Sequence, residues 1–179
     1  GKTYHLTVYA EGKTLTASTT IPTPVSLDSI WFKTQPPSTE LGFIWAHLSD
    51  PVGLGNNYRW FTKRFGKDVR FVAPIGSTFE DRFVDGKSFD FAYNRGAEFN
   101  SSAEDDNNEE RGYFKVGDTV VVKFCAIDRA GFEFYRSLEI EVSNNGNPFA
   151  APTSIPSNIN GGLGFWGGYG AVYDTVIAQ

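Results

Sequence analysis

The sequence predicts a mainly β fold: an antiparallel β-sandwich or open barrel with one short helix near 129–143. Three observations carry this. Short segments of alternating, β-branched and aromatic character recur along the chain. Turn signals such as Glu11-Gly12, Asp50-Pro51-Val52-Gly53, Asp85-Gly86 and Gly117-Asp118 separate them. Only one window carries a helical stripe. Many short strands punctuated by turn chemistry imply packed antiparallel sheets.

The elements follow in order. Residues 3–10 alternate, with Tyr4, Leu6 and Val8 on one face and His5, Thr7 and Tyr9 on the other. After Glu11-Gly12, the threonine-rich residues 13–20 read as the returning strand of a hairpin. Ile21-Pro22-Thr23-Pro24 removes two backbone donors and forces extended chain, so it reads as a connector between packed units. Strand character resumes at 27–32. The run 41–48 follows, and 58–65 is expected to be its hairpin partner. Further strands are expected at 69–73, 79–84, 89–93, 113–116, 119–127 and 171–177.

The helix rests on Phe132, Tyr135, Leu138 and Val142, spaced at 3, 3 and 4 residues. Asp128 stands at the N-cap position and Asn144-Asn145-Gly146 at the stop. The competing strand reading uses Phe132, Phe134, Leu138, Ile140 and Val142. Phe134-Tyr135 breaks that alternation. The run Asn100 to Glu110 has no apolar residue larger than Ala and reads as a solvated loop.

Composition excludes several functions. Of 179 residues 16 are Phe, 8 Tyr and 4 Trp, and the net charge is −5 with no basic cluster. Phosphate-driven nucleic-acid binding is therefore not expected. One Cys rules out an intramolecular disulfide framework and Cys-based zinc or iron–sulfur sites. No apolar run approaches the roughly 18 residues of a membrane helix. With no Met anywhere and strand pattern from its third residue, the chain is expected to be a piece of a longer protein.

Chemistry-bearing motifs are few. No Gly-x-Ser-x-Gly elbow exists, and His5 and His47 lie in strands. Cys125, between Phe124 and Ala126, reads as a core residue. Glu104 to Glu110 offers hard oxygen ligands but lacks the calcium-loop pattern. Gly161-Gly162-Leu163-Gly164 lacks the Lys-Ser/Thr of a phosphate loop. No carboxylate pair is singled out by spacing, so glycan hydrolysis stays a background alternative. No catalytic residue, metal ligand or cofactor is expected.

The unusual segment is 161–170, where six glycines interleave Phe165, Trp166 and Tyr169. These aromatics either cap the core beside a bulged strand or form a platform for a sugar ring or a partner protein. Trp60 and Arg59, with Phe61 and Arg64, likewise mix rings and cations, as binding hot spots do. A half-buried amphipathic strand explains them equally well. The candidate ligand-binding residues are therefore Trp166, Tyr169, Phe165, Trp60 and Arg59. Trp166 and Tyr169 are expected on an accessible surface.

Two stretches carry a family resemblance. One runs from Gly1-Lys2-Thr3-Tyr4-His5-Leu6-Thr7-Val8 to Ile21-Pro22-Thr23-Pro24-Val25. The other runs from Asn144-Asn145-Gly146-Asn147-Pro148-Phe149 to Gly161-Gly162-Leu163-Gly164-Phe165-Trp166-Gly167-Gly168-Tyr169. Asp50-Pro51-Val52-Gly53, Asn57-Tyr58-Arg59 and Phe114-Lys115-Val116-Gly117-Asp118 fit the same pattern. The chain resembles a family of Bacteroidetes outer-membrane lipoproteins known only as a domain of unknown function, often encoded beside TonB-dependent transporters. The resemblance implies that residues 1–25 are the last hairpin of a truncated N-terminal Ig-like β-sandwich and 26–179 a mainly β C-terminal domain. It implies a cell-surface binding or accessory protein, not an enzyme, serving nutrient uptake. Its partners would be an outer-membrane transporter and a glycan or peptide ligand. Its only membrane contact would be a lipid anchor outside this chain. The rivals are a glycan-acting enzyme using loop carboxylates and a structural or adhesive surface module.

Overall fold

The computed structural model describes residues 1–96, 112–144, 147, 149, 151 and 153–179. The acidic run 100–110, with its calcium question, and the Asn145-Gly146 end of the helix stop lie outside the described residues.

The strands are β1 (Lys2–Ala10), β2 (Lys13–Ile21), β3 (Ser29–Thr34), β4 (Leu41–Ser49), β5 (Asn57–Arg64), β6 (Thr78–Glu80), β7 (Ser88–Tyr93), β8 (Phe114–Lys115) and β9 (Thr119–Ile127). The helix α1 (Arg129–Asn144) follows, then β10 (Ile159–Asn160) and β11 (Gly170–Ile177). Among the described residues all pairings are antiparallel and form three sheets, β11-β9-β5-β6, β3-β4-β7 with β8 beside β4, and β1-β2-β10. Among the described residues no barrel closes, and no helix is long and apolar enough to cross a membrane. The fold is mainly β and sandwich-like.

The first two sheets enclose the core. β4 buries every second residue, directing Ile44, Ala46 and Leu48 inward. Facing them are Tyr58 and Trp60 of β5 and Val120, Val122 and Phe124 of β9, with Phe114. Phe79, Phe89, Phe91 and Tyr93 complete an aromatic interior, in which Tyr58 stacks on Phe124 at 5.1 Å and Trp60 meets Phe91 edge-on at 5.6 Å. Much of the aromatic excess is therefore packing. Each such ring contributes about 1.5–3 kcal/mol through burial.

Several expectations are corrected. β5 is not the hairpin partner of β4: it pairs with β9 and β6, in the opposing sheet. Both strands carry a buried apolar face, and facing each other across the sandwich satisfies both. The intervening loop is clamped at that crossing. The Tyr58 hydroxyl donates to Asp50 Oδ1 at 2.6 Å, and the amides of Gly55 and Asn56 donate to Asp81 Oδ2 at 2.9 Å each. The expected strand at 69–73 reduces to one bridge, Thr62 to Val72. The expected strand at 79–84 stops at Glu80 and becomes a 3-10 turn, Asp81–Phe83, because Asp81 turns its carboxylate onto the Gly53–Asn56 loop.

The helix forms where its spacing predicts. Asp128 caps it, with Oδ1 accepting from the Gly131 amide at 2.8 Å. The apolar stripe is only partly right. Phe132 and Tyr135 pack on the sheet, while Val142 is half exposed and Glu139 is buried in its stead. The hairpin of β1 and β2 takes β10, from the far end of the chain, as its third strand. β2 buries Ala17 and Thr19, whereas β1 is exposed along most of its length.

Candidate functional site

The outer face of the β11-β9-β5-β6 sheet is built in cross-strand rows. Tyr173, Lys123 and Phe61 lie side by side, and the next row is Ala171, Cys125, Arg59 and Thr78. Burial along β9 alternates as far as Phe124 and then becomes continuous through Ile127. That change marks the edge of α1. The helix roofs the second row and leaves the first open.

Under the roof, the Arg59 guanidinium lies 3.5 Å from the Tyr135 ring centroid and 5.0 Å from that of Phe61. The Tyr135 and Tyr169 hydroxyls share a 2.7 Å hydrogen bond. Phe165 stacks on Phe134 at 5.1 Å and meets Tyr135 edge-on at 5.4 Å. At the border of the roof, Lys123 Nζ lies 4.9 Å from the Tyr169 ring, 5.1 Å from Phe61 and 5.8 Å from Phe71. Phe71 meets Tyr173 at 5.9 Å.

The electrostatics follow from burial. Desolvation pushes the Cys125 thiol up to about 11, against the opposing pull of Lys123 and Arg59. Burial and then the Tyr135 hydrogen bond hold the Tyr169 hydroxyl well above the usual phenol value. Burial raises Glu139 above the ordinary carboxylate range, although Thr78 donates to it at 2.8 Å and Arg59 and Arg136 favour its charge. Arg59 Nε and Glu139 Oε2 make no hydrogen bond among the described residues.

Of the five residues singled out from sequence, Arg59, Tyr169 and Phe165 come together here. Trp166 is half-buried next to them in the chain. Its backbone N–H donates to Asn158 Oδ1 at 2.9 Å and its carbonyl accepts from Asn158 Nδ2 at 2.6 Å. Tyr169 is also half-buried. Trp60 does not belong to this face. It is 0% exposed in the core, because one residue along a strand reverses the side a residue faces. Arg64 is committed elsewhere, to Asp68 at 2.7 Å.

Sequence reading missed Lys123, Tyr135, Phe71 and Tyr173. A signal for Lys123 was present: it is the one charge within the apolar strand Thr119–Ile127. A second outer-face set, Trp31 stacked on Trp45 at 6.3 Å and Phe43 on Tyr113 at 5.1 Å, was also missed.

Asp50, Asp81 and Asp85 bring carboxylate oxygens within 4.8 Å of one another; Asp50 and Asp85 stand in turn signals of the sequence, whereas Asp81 falls in the strand expected at 79–84. Such oxygens could hold a hard cation such as Ca²⁺. They are already engaged: Asp50 by Tyr58 and the Gly86 amide, Asp81 by the Gly55 and Asn56 amides, and Asp85 by the Gly53 amide at 2.6 Å.

Fold and site together define a sandwich-like β protein with a helix laid over half of one outer face and a cation–aromatic cluster beneath it. The chain belongs to the family described as domain of unknown function DUF4249, which it matches over residues 1–173. No curated protein and no solved structure matches it.

Proposed function

We propose that this chain is a non-enzymatic binding protein of the cell surface, tethered to the outer membrane by a lipid and working beside a TonB-dependent nutrient transporter. The observation that supports binding is the convergence of Arg59, Tyr135, Phe61, Tyr169 and Phe165, drawn from β5, α1 and the glycine-rich segment, onto one sheet face. Rings and a guanidinium brought together across more than 100 residues of chain build a half-buried cluster whose open border, at Phe61, Tyr169 and Lys123, is suited to a flat ligand such as a glycan ring or a peptide side chain. The transporter and the lipid come from the family resemblance in the sequence. Cys125 is fully buried and is no candidate for lipid attachment.

The rival enzyme reading would use loop carboxylates. Among the described residues the three that meet, Asp50, Asp81 and Asp85, are tied to backbone amides, and two are buried, which favours a structural part for them. The deciding experiment is affinity capture of the lipidated full-length protein from its native outer membrane. Co-purification of a TonB-dependent transporter is expected, with Tyr169→Ala or Arg59→Ala weakening ligand retention. Recovery of no transporter, together with hydrolysis of a glycan panel, would overturn the reading.

A further inference from the structure

The part of this sheet face outside the helix roof has an unusual charge. Its two open rows are Tyr173, Lys123, Phe61 and Thr175, Val121, Lys63. None of these six is acidic, although the chain carries a net charge of −5. Lys63 Nζ is committed to the Val69 carbonyl at 3.1 Å. Lys123 differs. Among the described residues its ammonium makes no hydrogen bond and no ion pair, and the Tyr169, Phe61 and Phe71 rings lie 4.9, 5.1 and 5.8 Å from it. Ring faces attract a cation but do not neutralise it and accept none of its N–H bonds in the way a carboxylate does. No carboxylate therefore offsets the ammonium or takes up its N–H donors, and the half-buried rings beside it reduce the dielectric screening of an approaching charge. Phe61, Phe71, Tyr169 and Tyr173 supply flat apolar walls around it.

We infer that this open half-face binds an anion with a flat apolar body, its charged group on Lys123 and its body against the surrounding rings. The inference rests on the reading of this face as a ligand site and adds the class of ligand. A neutral flat molecule would gain only the ring contacts. A cationic one would meet Lys123 and Lys63 as like charges.

The test is an amide NMR titration of the folded chain with three probes of one shape: naphthalene-2-carboxylate, 2-naphthalenemethanol and 2-naphthylmethylamine. The carboxylate is expected to shift the amides of residues 61–63, 121–123 and 173–175 and to bind about tenfold tighter than the alcohol, the worth of one charge-assisted contact. The amine is expected to bind weakest. Lys123→Met keeps the aliphatic stem and should lower carboxylate affinity to that of the alcohol, leaving the alcohol unaffected. Lys123→Arg should restore the preference. Equal affinities for carboxylate and alcohol, unchanged in Lys123→Met, would overturn the anion inference while leaving the face a binding site. Absence of shifts on this face with all three probes would overturn both.

Discussion

Both oxygens of the Asp128 carboxylate are committed. Oδ1 caps α1 through the Gly131 amide, and Oδ2 accepts from the Thr19 hydroxyl at 2.7 Å and the Thr20 amide at 3.3 Å. One side chain thus starts the helix and pins the N-terminal hairpin to it. Asp128→Ala is expected to cost about 2–3 kcal/mol in urea unfolding, the sum of a cap and a part-buried tether. Thr19→Val should cost only about 1 kcal/mol, since the cap survives. Equal losses would mean that the cap contributes nothing. The cap was legible in the sequence because an Asp before an apolar stripe has a local meaning. Glu139 was not, because a carboxylate on a helix reads as solvated until the chain reveals what covers it. Burial raises its folded value above that of the unfolded chain. Its contribution to stability is therefore full below about pH 4.5 and lost as pH rises through the folded value. Glu139→Gln keeps the acceptor for Thr78 and should be more stable than the parent at pH 7, by up to about 1 kcal/mol, but not at pH 4. A loss of stability at pH 7 would show that Arg59 and Arg136 outweigh desolvation.

At the scale of elements, strand existence followed from alternation, and β9 falls on the residues its pattern marks. Strand pairing did not, because β4 and β5 carry the same signal whether they neighbour or face each other. Loop chemistry decides between these, and the Asp50–Tyr58 and Asp81 clamps join residues whose partnership local sequence cannot show. The glycine-rich segment illustrates the same gap. Its composition suggested bulged strand or platform, whereas one of its glycines has a packing reason. A Cβ at Gly170 would collide with the Pro22 carbonyl oxygen, so β11 begins against the proline connector only because that residue has no side chain. Gly170→Ala is expected to destabilise by about 1–3 kcal/mol, as overpacking does. The damage should localise to the seam between connector and β11, with faster amide exchange near 21–25 and 168–171 than in β4. Uniform acceleration across the sandwich would refute this assignment. Three of the five candidate site residues came together: strand parity turns Arg59 to the outer face, and contacts with α1 hold Tyr169 and Phe165 of the glycine-rich segment beside it. Trp60 was misassigned by a single step of the same parity.

The whole molecule has an alkaline limit set by groups in both of its layers. Tyr58 and Tyr93 project into the sandwich core, and Cys125 and Tyr169 lie under α1. Burial is the largest cause of the upward shift in all four, joined by Asp50 at Tyr58, Glu139 at Tyr93 and Tyr135 at Tyr169. The unfolded chain loses these protons near ordinary values of 9.0 for Cys and 10.0 for Tyr. The folded chain holds them to higher pH. Above pH 9 the unfolded state therefore binds fewer protons than the folded one, and stability must fall as pH rises. Cys125 titrates first. Its folded value near 11 implies a loss of about 2–3 kcal/mol between pH 9 and 11. The three tyrosines join from about pH 10, each adding up to about 1.4 kcal/mol per pH unit. Urea midpoints measured from pH 7 to 11 should be flat at first and fall from about pH 9. Cys125→Ala removes the earliest proton, so its onset should move toward pH 10, with a constant offset below that from the lost packing. An unchanged onset in Cys125→Ala would mean that the thiol is not held protonated by burial, and that the helix roof over the second row opens readily. That opening would also admit water to Arg59 and Tyr169, so the same titration reports on how firmly the site beneath the helix is built.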